Sequence, residues 1–332
     1  MSNKLRVQNF RKHLDYEIEF QQGVNMIVGL NGSGKTSLIE AIYIASQGKS
    51  WRSNFDDIKT KNSDWWRVDY QDRVIKYNNQ EKEFIINNKS FKSLRDIYKN
   101  PIILFEPQDL NLLYRSPSCR RNWLDNFITN QEPKYRKTIN KYNRILKQRN
   151  SLLKNQSSKE QLFVWDIQFA STAALIIKIR KKYINIINKR INQEYKKITQ
   201  QNPEIILEYK SEIDSEQAIL NTINNNYQYE IISGYTSIGP HQHDIIFYIN
   251  NKNATGILSR GENRSLILAL KYVEYDLKKD SHPLILLDDI MSEFDCDRQK
   301  NIIDSFHNEQ VIITGVNKPD CIKDVSVVSL TT

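Results

Sequence analysis

Gly29-Leu30-Asn31-Gly32-Ser33-Gly34-Lys35-Thr36 fits the pattern G-x-x-x-x-G-K-[ST]. The residues before it, 24–28 (VNMIV), form a near-continuous apolar run, as a strand buried on both faces does. After it, Leu38, Ile39, Ile42 and Ala45 share one face of a helix that starts near Thr36 and stops near Gly48. Strand, glycine-rich turn and helix together make a phosphate cradle. The glycines let backbone N–H groups close around phosphate oxygens, and the helix N-terminus adds partial positive charge. Residues 29–36 are therefore expected to hold ATP. Lys35 bridges the β- and γ-phosphates in this reading, and the Thr36 hydroxyl binds Mg²⁺. An accidental glycine-rich turn would have no reason to carry both flanking elements.

Working outward, Leu284-Ile285-Leu286-Leu287-Asp288-Asp289 reads as a buried strand ending in two carboxylates. Asp288 is expected to hold Mg²⁺ directly or through water, and Asp289 to orient or deprotonate an attacking water. Alone, such a pair is as readily an ordinary strand end; beside a P-loop it is the natural partner. A third element, Ser259-Arg260-Gly261-Glu262-Asn263, opens a helix over residues 259–276. Ser-x-Gly before a helix is by itself a plain N-cap. In this company it resembles the signature motif of the ATP-binding-cassette superfamily. That likeness implies that Ser259 and Gly261 meet the γ-phosphate of a nucleotide held by a second chain. The order P-loop, long insert, signature, Asp-Asp strand is that superfamily's, and simple P-loop kinases lack it.

The 332 residues are 39% hydrophobic and 26% charged, which suits a soluble globular chain and excludes a disordered one. No uninterrupted apolar run reaches the ~18–20 residues of a membrane span, and residues 1–10 lack the architecture of a secretory signal. Three scattered cysteines, Cys119, Cys296 and Cys321, make no CxxC pair and point to a reducing cytoplasm. The net charge of +9 is unevenly spread. Residues 111–200 carry 20 Lys+Arg against 5 Asp+Glu, a net of +15, which leaves −6 for the remainder. Within that basic region Tyr135, Ile139, Tyr142, Leu146 and Leu153, then Ile176, Tyr183, Ile187, Ile191 and Tyr195, keep a helical spacing on either side of a polar break at 155–160. They read as an antiparallel helical pair with basic outer faces.

Further stretches bear a resemblance to the RecF family of bacterial recombinational-repair ATPases over nearly the whole chain. They are Asn9-Phe10-Arg11, the P-loop continuing as Ser37-Leu38-Ile39-Glu40-Ala41-Ile42, and residues 104–110 (LFEPQDL). Ser116-Pro117-Ser118-Cys119-Arg120-Arg121, Ile238-Gly239-Pro240-His241 and Ser292-Glu293-Phe294-Asp295 complete the set. The P-loop is generic; the Gly-Pro-His and Ser-Pro-x-x-Arg-Arg stretches are far more specific. The fold this implies is α/β, a P-loop NTPase of the ATP-binding-cassette type. Its lobe I, a mixed sheet with helices, spans 1–110 and 227–332, and a helical lobe II is inserted at 111–226.

The resemblance implies a slow, DNA-stimulated ATPase that dimerises on ATP and binds DNA at single-strand/duplex junctions. The implied partners are RecO- and RecR-like mediators and the RecA recombinase. Three departures stand out: Glu262 where the family has Gln, Gln108 where it has Glu, and His243 where it favours Asp or a polar residue. Gln108 is read as a Mg²⁺ or water contact, or as a hinge residue. Arg52, Arg120, Arg121, Lys181, Lys182, Lys189 and Arg190 are the candidate DNA contacts, each weighed against a solvated basic face. Thr314 is read as a sensor of the γ-phosphate or a strand-end cap. His241 is read as a structural or nucleotide-adjacent residue, with a His241–His243 metal pair the lesser alternative for want of a third ligand.

Two other classes compete. A transporter nucleotide subunit would not carry so long and basic an insert. A long-armed chromosome ATPase needs more than the 224 residues between Lys35 and Ser259. A DNA-binding relative with impaired hydrolysis stays open because of Glu262.

Overall fold

In the computed structural model, which describes residues 3–92, 100–306, 308–323 and 325–330, the chain divides into two units. One comprises Met1–Asp109 and Tyr275–Thr332, the other Leu110–Glu274.

The first unit begins with β1 (Lys4–Phe10), β2 (His13–Glu19), β3 (Val24–Val28) and α1 (Lys35–Gln47). It continues with β4 (Trp65–Tyr70), β5 (Arg73–Asn78), β6 (Glu81–Ile86), β7 (Lys89–Phe91) and β8 (Ile102–Phe105). An antiparallel sheet of order β2-β1-β4-β5-β6-β7 takes its alternation from the sequence: Trp66, Val68 and Tyr70 face inward and their neighbours outward. Helix α1 is buried nearly all round, ten of its thirteen residues, where one apolar face was expected. Its Leu38, Ile39 and Ile42 join a core cluster with Leu5, Val7 and Val68 of the antiparallel sheet and with Leu286 and Ile312 of a second sheet.

The second unit holds α2 (Pro117–Gln131), α3 (Tyr135–Lys154), α4 (Lys159–Thr199), β9 (Ile205–Lys210), α5 (Glu216–Ser233), β10 (Asp244–Ile249), β11 (Lys252–Asn253) and α6 (Arg260–Asp276). It is richer than the helical pair read from the spacing. The second boundary falls at Glu274/Tyr275, whereas the return of strand-like sequence placed it at 226/227. The reason is pairing: β10 runs antiparallel to β9 from Asp244↔Lys210 to Ile249↔Ile205. Residues 244–249 therefore belong with the helices that precede them.

Helix α4 is apolar over much of its length without an uninterrupted apolar run. It contains an 18-residue window of mean hydropathy 1.5, long and apolar enough to cross a membrane by length and composition. Here Phe169, Ala173, Ile176, Ile184 and Ile187 of this helix are buried in the second unit, as in the central helix of a helical core.

The chain returns to the first unit with β12 (Leu284–Leu287), α7 (Cys296–Ser305), β13 (Val311–Gly315) and β14 (Ser326–Ser329). These build a parallel sheet of order β14-β3-β13-β12-β8. Val28 is level with Gly315, Leu287 with Ile313, and Leu287 with Phe105. The segments after β3, β12 and β8 thus leave the sheet along one carboxyl edge, the edge at which open α/β sheets hold ligands.

Candidate functional site

Residues 29–34 leave that edge after β3, and Lys35 begins α1. Gly34 has φ +101°, and a Cβ there would stand 2.5 Å from Nε2 of His13, so only glycine fits. His13 comes from the β1–β2 hairpin, and its ring approaches the Gly34 carbonyl at 3.2 Å; burial lowers its pKa. Lys12, beside it, donates to the Gly32 carbonyl at 2.5 Å. Neither residue was singled out in the sequence. Their signal was present in the Asn-Phe-Arg-Lys-His run, but the fold alone brings it onto a loop twenty residues away.

Lys35 is 6% exposed and donates from Nζ to the carbonyls of Gly29 and Leu30, at 2.7 and 3.0 Å. Its ammonium is thus curled back over the loop. The N–H groups of Lys35 and Thr36 precede the first bonds of α1, which run from Ser37 and Leu38 to the Gly34 carbonyl. The Ser33 hydroxyl is buried with no hydrogen-bond partner among the described residues, a polar atom that an incoming phosphate oxygen would satisfy.

Asp288 follows β12 directly. Thr36 Oγ1 from α1 and Thr314 Oγ1 from β13 both donate to its Oδ1, each at 2.8 Å. Burial raises the Asp288 pKa, while the two hydroxyls and the charge of Arg52 pull it down. Cis ligands of an octahedral Mg²⁺ at 2.0–2.1 Å lie about 2.9 Å apart. The Thr36 and Asp288 oxygens already stand at that spacing, so this all-oxygen pair fits a hard cation. Thr314 also accepts the backbone N–H of Asp289 at 2.9 Å. Asp289 sits at φ +49°, a left-handed conformation that Asp tolerates better than most residues.

Gln108 lies in the short turn of residues 107–111 after β8, on the same edge, and is exposed. Arg52 makes a 3.8 Å ion pair with Glu40, a fully buried carboxylate. Arg11 grips Glu40 through two bonds, at 3.0 and 2.8 Å, and Ser50 adds a third at 2.6 Å. Sequence reading missed this network, because Glu40 looked like an ordinary helical acid.

Ser259 and Gly261 belong to the second unit. There Ser259 and Glu262 form a reciprocal cap at the start of α6. Glu262 Oε2 accepts from the Ser259 N–H at 2.8 Å and from its hydroxyl at 2.6 Å, and the Glu262 N–H donates back to Ser259 Oγ at 3.3 Å.

The remaining basic candidates are mostly engaged within their own unit. Arg120 clamps Asp244 with two bonds, at 2.8 and 2.7 Å, and Arg121 donates to the His243 carbonyl at 2.7 Å. Lys181 pairs with Asp214 at 2.7 Å and Lys182 with Glu132 at 3.7 Å. Lys189 is exposed on α4, and Arg190 donates to the Ile186 carbonyl at 3.4 Å.

The Gly-Pro-His stretch is a structural knot of the second unit. A Cβ at Gly239 would meet Phe169 at 2.8 Å and Tyr142 at 2.9 Å. The Pro240 carbonyl accepts from Arg180 at 2.7 Å. His241 spends both ring nitrogens, on Tyr142 at 2.6 Å and on the Thr236 carbonyl at 3.1 Å. His243 bonds Tyr209 at 2.8 Å. Among the described residues no group of three or more His, Cys, Asp or Glu could hold a metal ion.

The geometry can be set beside known proteins. Residues 1–332 match the RecF/RecN/SMC N terminal domain family. The DNA replication and repair protein RecF of Ruminiclostridium cellulolyticum is 33% identical, over 95% of this chain and 92% of that protein. That of Natranaerobius thermophilus is 32% identical, over 98% and 93%. A solved structure of the recombination mediator protein RecF-ATPrS in the RecFOR pathway superposes with a TM-score of 0.87 at 29% identity, covering 99% of this chain and 96% of that one. An SMC head bound to the C-winged helix domain of ScpA shares the fold alone, with a TM-score of 0.53 at 16% identity, covering 95% and 90%. A P-loop, an Asp-ended strand and a signature-like helix start on this fold, with curated relatives a third identical over almost their whole length, make the chain a member of the RecF family.

Proposed function

We propose that the protein is an ATP-dependent DNA-repair ATPase that dimerises around nucleotide and binds gapped or single-strand/duplex junction DNA. In this reading it acts in the cytoplasm with RecO- and RecR-like mediators to help load a RecA-type recombinase. The observation that carries it is the convergence of the Thr36 and Thr314 hydroxyls on Asp288 beneath the P-loop. The relatives named for DNA repair and the RecF-ATPrS structure support it.

Thr36 and Asp288, with Gln108 as a further oxygen donor, would hold Mg²⁺, which would supply charge neutralisation to the phosphates. The chain's own residues do the rest. The N–H groups of residues 29–36 cradle the phosphates, and Lys35 swings from the Gly29 and Leu30 carbonyls onto the γ-side. Asp289, its backbone anchored to Thr314, receives a proton from the attacking water. Asp has a shorter reach than Glu by one CH₂, which favours slow turnover that resets a clamp. Ser259 and Gly261 close the site of the opposite chain, so each site needs two protomers.

The test is binding to gapped, single-stranded and duplex DNA with and without a slowly hydrolysed ATP analogue, alongside light scattering. Nucleotide-dependent dimerisation with tighter junction binding is expected. Ser259→Arg should keep ATP on the monomer and lose the dimer; normal dimerisation by that variant overturns the sandwich.

A further inference from the structure

Much of the exposed basic charge of the second unit lies on helix α3. Helix α3 carries seven Lys or Arg and no Asp or Glu. Arg149 turns inward, fully buried against Asp166 at 2.7 Å. Arg136 leans on Asn126 at 3.1 Å. The other five, Lys137, Lys141, Arg144, Lys147 and Lys154, are all exposed. They recur at three- and four-residue steps, with Ser151 filling the remaining place, so they lie in one stripe. At 1.5 Å per residue the stripe is about 25 Å long. Among the described residues none of the five is paired with a carboxylate; on α4 Lys181, Lys182 and Lys197 are paired, and the exposed Lys178, Lys189 and Lys196 are spread along a helix that also carries acids.

Like charges at these spacings repel along a helix, so the row is an arrangement that an outside polyanion would relieve. Polar side chains lie beside it. A groove of about 500 Å³ is lined by Asn143, Leu146, Lys147, Asn150, Ser151 and Lys154. Asn150 is held there by the Thr236 N–H and hydroxyl, at 2.9 and 2.7 Å. Ammonium, guanidinium, amide and hydroxyl groups in a row are the donors that grip phosphate oxygens without reading bases.

We propose that the α3 stripe Lys137–Lys141–Arg144–Lys147–Lys154 is the surface that tracks the DNA phosphate backbone. This rests on the DNA-binding reading above and names its surface. The stripe's length matches about seven base pairs at 3.4 Å each. Five phosphate contacts would contribute a slope of about −4.5 to the dependence of log K on log salt.

The experiment compares the full chain with a variant carrying Lys137→Gln, Lys141→Gln, Arg144→Gln, Lys147→Gln and Lys154→Gln. Both are titrated with junction DNA across a salt series in the presence of the ATP analogue. The expected result is affinity at least tenfold weaker at low salt and a slope shallower by about four units. The double variant Lys181→Gln, Lys182→Gln should stay within about twofold of the parent. Unchanged affinity and slope in the five-site variant overturn the surface and leave the DNA reading standing. If the unmodified chain binds no DNA at any salt, the reading and the surface both fall. Acetylation of the unmodified chain, with and without DNA, gives an answer independent of the variant's folding. Protection of the four lysines supports the stripe, and equal labelling overturns it.

Discussion

The Ser259 hydroxyl donates to the Glu262 carboxylate at 2.6 Å, inside a cap that is reciprocated by the Glu262 N–H. The hydroxyl proposed to meet a γ-phosphate is therefore already committed. That bond lowers the Glu262 pKa, so the carboxylate is charged at neutral pH.

Glu262→Gln keeps the cap, because an amide oxygen at the same position accepts both bonds, and it removes the charge. A unit charge about 4 Å from a phosphate in a solvated setting is worth about 1 kcal/mol, or about fivefold. ATP-dependent dimerisation and ATP turnover should rise by about that factor, read by light scattering and phosphate release. Unaltered values would mean that Glu262 points away from the nucleotide of the opposite chain.

Lys35→Met preserves an unbranched side chain of similar length and removes the donor now held by two loop carbonyls. A charge-assisted hydrogen bond contributes about 1.5–3 kcal/mol. Nucleotide affinity by calorimetry should therefore fall by about 10- to 100-fold, and the ATP-dependent dimer should vanish. A variant that dimerises on ATP as the parent does removes Lys35 from the site.

The parts of the site that could be read from sequence were those whose chemistry is contiguous. Residues 24–47 spell strand, loop and helix in one run, and residues 284–289 spell a strand and its acids. Thr314 was legible as a strand end, but its hydrogen bonds, given to Asp288 and accepted from the Asp289 N–H, depend on β13 lying beside β12. Lys12 and His13 reach the P-loop only because the β1–β2 hairpin folds over it. Strand β9 was lost because its apolar stretch, Ile205-Ile206-Leu207, follows a long helix, and its partner β10 starts more than thirty residues later. The DNA candidates could not be ranked from sequence for a simpler reason. A count of basic residues cannot tell that Arg120 is taken by Asp244, 124 residues away, while five of the seven basic residues of α3 have no carboxylate partner among the described residues.

Thr314→Val separates architecture from chemistry. Thr314 is fully buried, and the change leaves Asp288 one donor short and the Asp289 N–H without its acceptor. An unsatisfied buried polar group costs about 1–3 kcal/mol. At about 2–4 °C per kcal/mol for a unit of this size, Tm should drop by about 2–12 °C. Turnover should fall further than nucleotide affinity, because Asp289 loses its anchor. Equal losses in both would make Thr314 a purely structural residue.

The second unit should also report pH through His243. Burial holds its pKa down to about 4, with the charges of Arg180, His241, Arg121 and Lys181 acting in the same direction. The groups packed around it are Arg121 from α2, Arg180 and Lys181 from α4, Tyr209 from β9 and His241 from its own segment. In the unfolded chain the ring titrates near 6.5. Below that pH the unfolded state takes up a proton that the folded state refuses, so its contribution is complete above 6.5 and drains away as pH falls toward 4. His241, also lowered by burial, adds in the same sense. Thermal melts should be level from pH 8 to 7 and decline between 6.5 and 5, above the range where surface carboxylates titrate. His243→Gln, able to keep a hydrogen bond to Tyr209, should decline less steeply over that interval. Parallel curves for parent and variant would remove His243 as the source of the acid sensitivity.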